Sequence, residues 1–172
     1  MSKAFTRESD EPNADETPAS RPPLPPGSSN YITREGAERL RVRLKNLLET
    51  KQRLAAKSDD PTTAQTEQRK LESAIRNLQR LLDSVVVAEV PVDREKIVFG
   101  ATVAIRHRNG EEATYHIVGV DEADPESGSI SWISPLARAL HSRRAGDKVH
   151  FKSPAGEDEL WILSVRYPGP AV

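Results

Sequence analysis

Asp59 and Asp60 are adjacent carboxylates set between two stretches rich in lysine and arginine. Such a pair could give oxygen ligands to a divalent cation if another site completed the coordination shell. A simpler reading competes for Asp60. It precedes Pro61, and aspartate as N-cap with proline at the first helical position is an ordinary helix start, which leaves Asp59 less explained. The four histidines, His107, His116, His141 and His150, lack the spacing that would converge on a metal. There is no cysteine, which excludes thiol nucleophiles, cysteine-ligated zinc and disulfides, and suits a reducing, cytoplasmic setting. No glycine-rich phosphate loop, nucleophile elbow or nucleophile–base pairing is visible. The chain is therefore expected to be no enzyme, with no catalytic residue and no metal or cofactor of its own.

The second chemical feature is cationic. The formal net charge is −1, but the distribution is uneven: residues 31–84 hold twelve Lys/Arg and eight Asp/Glu, a net of 12 − 8 = +4. Arg41, Lys45, Arg53 and Lys57, then Arg69, Lys70 and Arg76, form a basic patch that could hold the phosphates of single-stranded RNA, nascent RNA included. Few aromatics accompany them for base stacking, and a solvated helical face explains most such charges.

The elements that carry these residues follow from periodicity. Ala37, Leu40, Leu44, Leu47, Lys51 and Leu54 alternate steps of three and four, one apolar seam with a single polar member. Thr33 is placed as the N-cap, with Glu35 and Glu38 near the positive end. Leu71, Ile75, Leu78, Leu82 and Val85 repeat the spacing after a break at 58–62. Two such helices with a short connection pack as an antiparallel coiled-coil hairpin, an arm over 31–86 whose first helix, Arg34–Lys57, would be roughly 36 Å long.

Residues 1–30 contain six of the thirteen prolines and little to bury, and are expected to be a disordered tail. After a linker at 87–95, the period drops to two. Phe99–Ile105 and the segments 113–120, 129–133, 147–151 and 160–166 read as strands, Asn109-Gly110 as a tight turn, and Pro135–His141 as a short helix. The fold class is α+β: a two-helix hairpin, then a small antiparallel sheet domain over 96–167 with one helix, and a tail at 168–172. Phe99, Tyr115, Trp132, Phe151 and Trp161 are expected in its core. No run is long and apolar enough for a membrane span. A monomer is favoured.

Several phrases then match a known family. Thr33-Arg34-Glu35-Gly36-Ala37-Glu38-Arg39-Leu40 resembles the opening of the bacterial Gre transcript-cleavage factors. Phe99–Val103, Ile117–Asp124, Ser134–Leu140, Gly146-Asp147 and Ser153–Glu157 resemble further family phrases in the family's order, over about residues 31–167. The resemblance implies an arm followed by an FKBP-like domain that docks on RNA polymerase, with Ser134, Pro135, Ala137 and Arg138 in the docking segment. The arm would enter the secondary channel. In the family an acidic pair at the tip, three residues apart, helps place a magnesium of the polymerase's own catalytic centre, so a shared magnesium is the only metal implied.

Between Lys57 and Arg69 this sequence departs from that pattern, with neither Asp-x-x-Glu nor Asn-Ala-Glu-Tyr. The hairpin is also shorter than the family's by roughly ten residues, some 7 Å of reach, whereas ligation needs about 2 to 2.6 Å. The expectation is a Gre-like regulator without efficient cleavage stimulation. Rival readings are a cleavage factor using Asp59 and Asp60, a protein similar to the nucleoside diphosphate kinase regulator acting on another partner, and a prolyl isomerase.

Overall fold

The computed structural model describes residues 23–55, 61–153 and 156–169. The two long periodic stretches are helices, α1 (Arg34–Ala55) and α2 (Pro61–Ser84). Ala37, Ile75 and Leu78 are buried in the seam, and Leu40, Leu44, Leu47, Leu54, Leu71 and Leu82 are half-buried along it. The polar member, Lys51, crosses to Glu72 at 2.9 Å. The Lys51 hydrogen bond and charge hold the Glu72 carboxyl below the usual carboxylate range. Thr33 caps α1 as expected, its Oγ1 accepting from the Gly36 N–H at 2.9 Å.

The ends of the arm differ from the reading by period. Val85 does not prolong α2; it opens a strand, β2 (Val85–Val87), which pairs in parallel with β1 (Asn30–Ile32) in the register Asn30↔Val85, Tyr31↔Val86, Ile32↔Val87. Three consecutive valines favour extended backbone, and β1 supplies a strand to pair with, the Ala88 N–H just beyond bonding Ile32 O at 2.9 Å. The expectation of disorder through residue 30 is corrected over its described part. Ser28 N–H bonds Pro25 O at 3.0 Å around Gly27, and Asn30 is buried with its Nδ2 donating to Asp121 Oδ2 at 3.0 Å. Because α1 and α2 run antiparallel while β1 and β2 run parallel, the chain must turn sharply where strand meets helix, and Thr33 is the single residue between β1 and α1.

The sheet domain contains β3 (Thr102–His107), β4 (Glu112–Val118), β5 (Ser129–Ser131), β6 (Lys148–Ser153) and β7 (Gly156–Arg166) in the order β5-β4-β3-β7-β6. It is antiparallel except for β4 and β5, which pair in parallel. The helix α3 (Pro135–Leu140) closes one face. Val103, Ile105, Leu140 and Leu160 are fully shielded from solvent, with Ile117 and Ile162 nearly so. Tyr115, Trp132 and Phe151 pack against this core. Trp161 does not: it sits between the buried Leu160 and Ile162 on a strand that alternates, so it takes the opposite face, with Lys148 Nζ 5.0 Å from its ring centre. Phe99 is also outside the core, pairing with Tyr31 at 6.0 Å between ring centres.

The outer face of β6 and β7 is a set of cross-strand ion pairs. Lys148 and His150 meet Glu159 at 2.9 and 3.5 Å, and Lys152 meets Glu157 at 2.8 Å. His107 Nδ1 lies 2.6 Å from Asp158, a contact that depresses the carboxyl's pKa.

Candidate docking face and arm root

The segment Ser134–Arg138 is built as a helix start. Ser134 Oγ accepts from the Ala137 N–H at 3.1 Å, and Pro135 occupies the first turn, where its missing N–H costs no hydrogen bond. Ala137 is 3% exposed and belongs to the core. The four residues therefore divide by position. Pro135 and Arg138 face solvent and can touch a partner, whereas Ser134 and Ala137 set the helix that presents them.

Beside α3 lies an aromatic cleft of about 120 Å³ lined by Tyr31, Val98, Phe99, Trp132, Ala137 and His141. Tyr31 meets Trp132 edge-on at 6.0 Å. Tyr31 comes from β1, at the root of the arm, so the cleft spans both parts of the molecule. Composition alone placed Phe99 and Trp132 in a filled core; no sequence signal marked Tyr31 as their partner. A larger groove of about 670 Å³ runs along the root, with Arg34, Glu35, Arg94, His116 and Tyr167 among its walls. There the Tyr167 hydroxyl donates to Lys96 O and accepts from the Val98 N–H, and burial raises its pKa.

The root itself is clamped by a carboxylate that sequence reading missed. Glu122, its side chain 4% exposed, accepts from the Thr33 N–H at 2.8 Å, Thr33 Oγ1 at 2.5 Å, the Gly119 N–H at 3.1 Å and Arg39 Nη2 at 3.2 Å. Its only sequence signal was that it falls inside one of the matching phrases.

The basic patch is spread around the arm. Arg41, Lys45, Arg53, Arg69, Lys70 and Arg76 are all exposed. Arg41 bonds Glu38 at 3.4 Å, Lys70 bonds Glu67 at 3.4 Å, and Lys45 approaches Glu49 at 4.0 Å. Arg53 bonds the Glu49 carbonyl at 3.5 Å. Lys57, Asp59 and Asp60 lie outside the described residues. Among the described residues no three His, Cys, Asp or Glu side chains form a metal site, and no helix is long and apolar enough to cross a membrane.

Residues 92–167, the sheet domain with its approach, match the family model described as transcription elongation factor, GreA/GreB, C-term. The transcription elongation factor GreB of Pseudomonas aeruginosa is 34% identical over 162 residues, covering 86% of this chain and 96% of that protein. The chain belongs to the GreA/GreB family. Within that family, GreB of Neisseria meningitidis is 44% identical over 101 residues, and the match spans 62% of that protein's length. The solved GreA factor homolog 1 (Gfh1) protein of Thermus thermophilus is 25% identical over 81% of this chain, with a TM-score of 0.39.

Proposed function

We propose that this GreA/GreB-family chain is an accessory regulator of transcription elongation. It binds RNA polymerase through the α3 face and inserts its α1–α2 arm into the secondary channel without efficient stimulation of transcript cleavage. It acts from the cytoplasm, has no cofactor of its own, and at most approaches a magnesium that the polymerase holds. The observation that carries this reading is the combination of a family-type docking segment, with Pro135 and Arg138 solvent-facing on a rigid helix start, and an arm whose connecting sequence lacks the family's acidic motif. With α1 at 22 residues the helical shaft is about 33 Å long. A carboxylate several ångströms short of a cation contributes no ligation, since coordination requires about 2 to 2.6 Å. Arg69, Arg76 and the neighbouring arm cations give nascent RNA a non-specific electrostatic attraction.

The test is a stalled elongation complex containing backtracked RNA. Adding the protein should displace a bound cleavage-stimulating Gre factor while leaving the RNA untrimmed. Failure to bind polymerase overturns the proposal. Trimming that disappears in the Asp59→Ala, Asp60→Ala double variant would instead establish these carboxylates as the working tip.

A further inference from the structure

The clamp at Glu122 has the features of a positioning device. A carboxylate buried this deeply is costly unless its lone pairs are satisfied. Here each oxygen has two donors: Oε1 takes Thr33 Oγ1 and Arg39 Nη2, and Oε2 takes the Thr33 and Gly119 N–H groups. Three of the four come from the first turns of α1 or its cap, and one from the loop after β4. The same Thr33 hydroxyl accepts from the Gly36 N–H, so helix cap and interdomain contact are a single chain of hydrogen bonds.

The backbone has made room for this contact at two glycines. A Cβ on Gly36 would lie 1.9 Å from Glu122 Oε1, and one on Gly119 would lie 2.3 Å from the Tyr31 carbonyl. Gly36 sits inside a helix, where glycine is less favourable than alanine by roughly 1 kcal/mol on intrinsic grounds, so a close approach explains its presence better than helix formation does.

We propose that Glu122 is the positioning residue that fixes the direction of the arm relative to the docking face. The inference rests on the proposed function for its biological meaning and on the unbound protein for its test. A loss of 10° of stiffness at the root would move the far end of a shaft of about 33 Å by about 6 Å. That shift is about half the diameter of a helix with its side chains, about 10–12 Å.

The chain has no cysteine, so spin labels can be placed at Leu48→Cys on α1 and Lys152→Cys on β6, both solvent-accessible, and their distance distribution measured in the free protein. The wild-type background should give one narrow distribution. Glu122→Ala should at least double its width, and so should Gly36→Ala, which pushes the carboxylate out. In the Glu122→Ala background, Gly36→Ala should add no further width and should raise the melting temperature, a reversal of sign that a generic packing defect cannot produce. Glu122→Gln, which keeps the volume but replaces one acceptor oxygen by a donor, serves as a further variant should Glu122→Ala not fold. Unchanged widths in Glu122→Gln and Gly36→Ala overturn the inference. Because polymerase is absent, that result is independent of whether the protein binds it: widened distances with no polymerase binding would sink the proposed function and leave the clamp standing.

Discussion

Lys51 on α1 reaches Glu72 on α2 across the arm, Nζ to Oε1 at 2.9 Å, at the single polar position of the α1 seam. The pair fixes the register of the two helices, since sliding one by a turn would strand the lysine among leucines. It also makes the arm acid-sensitive. The Glu72 carboxyl is depressed in the folded state, chiefly by the Lys51 hydrogen bond, so its stabilisation is present above the unfolded value of about 4.3 and is lost as pH falls through the lower folded value. Circular-dichroism melting should show a larger drop in melting temperature between pH 6 and pH 3, about the range of carboxylate titration, in wild type than in the Lys51→Met, Glu72→Gln double variant. Equal drops would mean the pair contributes nothing.

His107 and Asp158 should show the same sign in the sheet. The hydrogen bond from His107 is the largest influence lowering the Asp158 carboxyl. In His107→Gln, the carboxyl carbon of Asp158 followed by NMR should titrate at a higher pH than in wild type. An unmoved midpoint would rule out the contact as its cause.

Thr33 is 5% exposed and serves both helix and clamp. Thr33→Ala should lower stability by about 1 kcal/mol for the lost cap, with about 1–3 kcal/mol more for the donor withdrawn from a buried carboxylate. Urea unfolding gives the value directly, and a loss below about 0.5 kcal/mol, the range of ordinary surface changes, would contradict the dual role.

Leu140 and Arg138 lie two residues apart in α3 with opposite expectations. Leu140 has no exposed surface, and Leu140→Ala should cost about 2–5 kcal/mol with loss of docking as the helix loosens. Arg138 is solvent-facing, so Arg138→Glu should leave stability within about 0.5 kcal/mol while weakening polymerase capture. Surface plasmon resonance alongside thermal melts separates the two effects.

Arg69 and Arg76 lie on the outer side of α2, away from its seam. Converting both to alanine should reduce the slope of log affinity against log salt for single-stranded RNA by about 1.4, from about 0.7 per phosphate contact. Filter binding across a salt series measures the slope. An unaltered slope would assign the attraction elsewhere.

Where the residues repeat, the sequence is a good guide. The seam from Ala37 to Leu54 and its continuation at Ile75 and Leu78 read directly as a hairpin because burial there follows a period of three and four. Val85 misleads for the same reason: it falls on the helical period, and only the pairing with Asn30, supplied from 55 residues earlier (85 − 30), makes it a strand. Trp161 misleads because bulk suggests a core, while the alternation of Leu160 and Ile162 assigns it the other face. Helix α3 was legible as a cap followed by proline. Glu122 was not, since its partners Thr33 and Arg39 lie 89 and 83 residues away and no local pattern encodes that meeting.

The sheet ends on two edges, and both are poor templates for growth. β5 has only three residues, and β6 presents Lys148, His150 and Lys152 on one side of a six-residue strand. Lysines on an edge strand, here each paired within its own sheet to Glu159 or Glu157, discourage a second chain from adding alongside, because it would have to bury or displace those charges. The protein should therefore tolerate high concentration at neutral pH. Acetylating the lysines, which removes the edge charges without touching the apolar interior, should make it prone to aggregate.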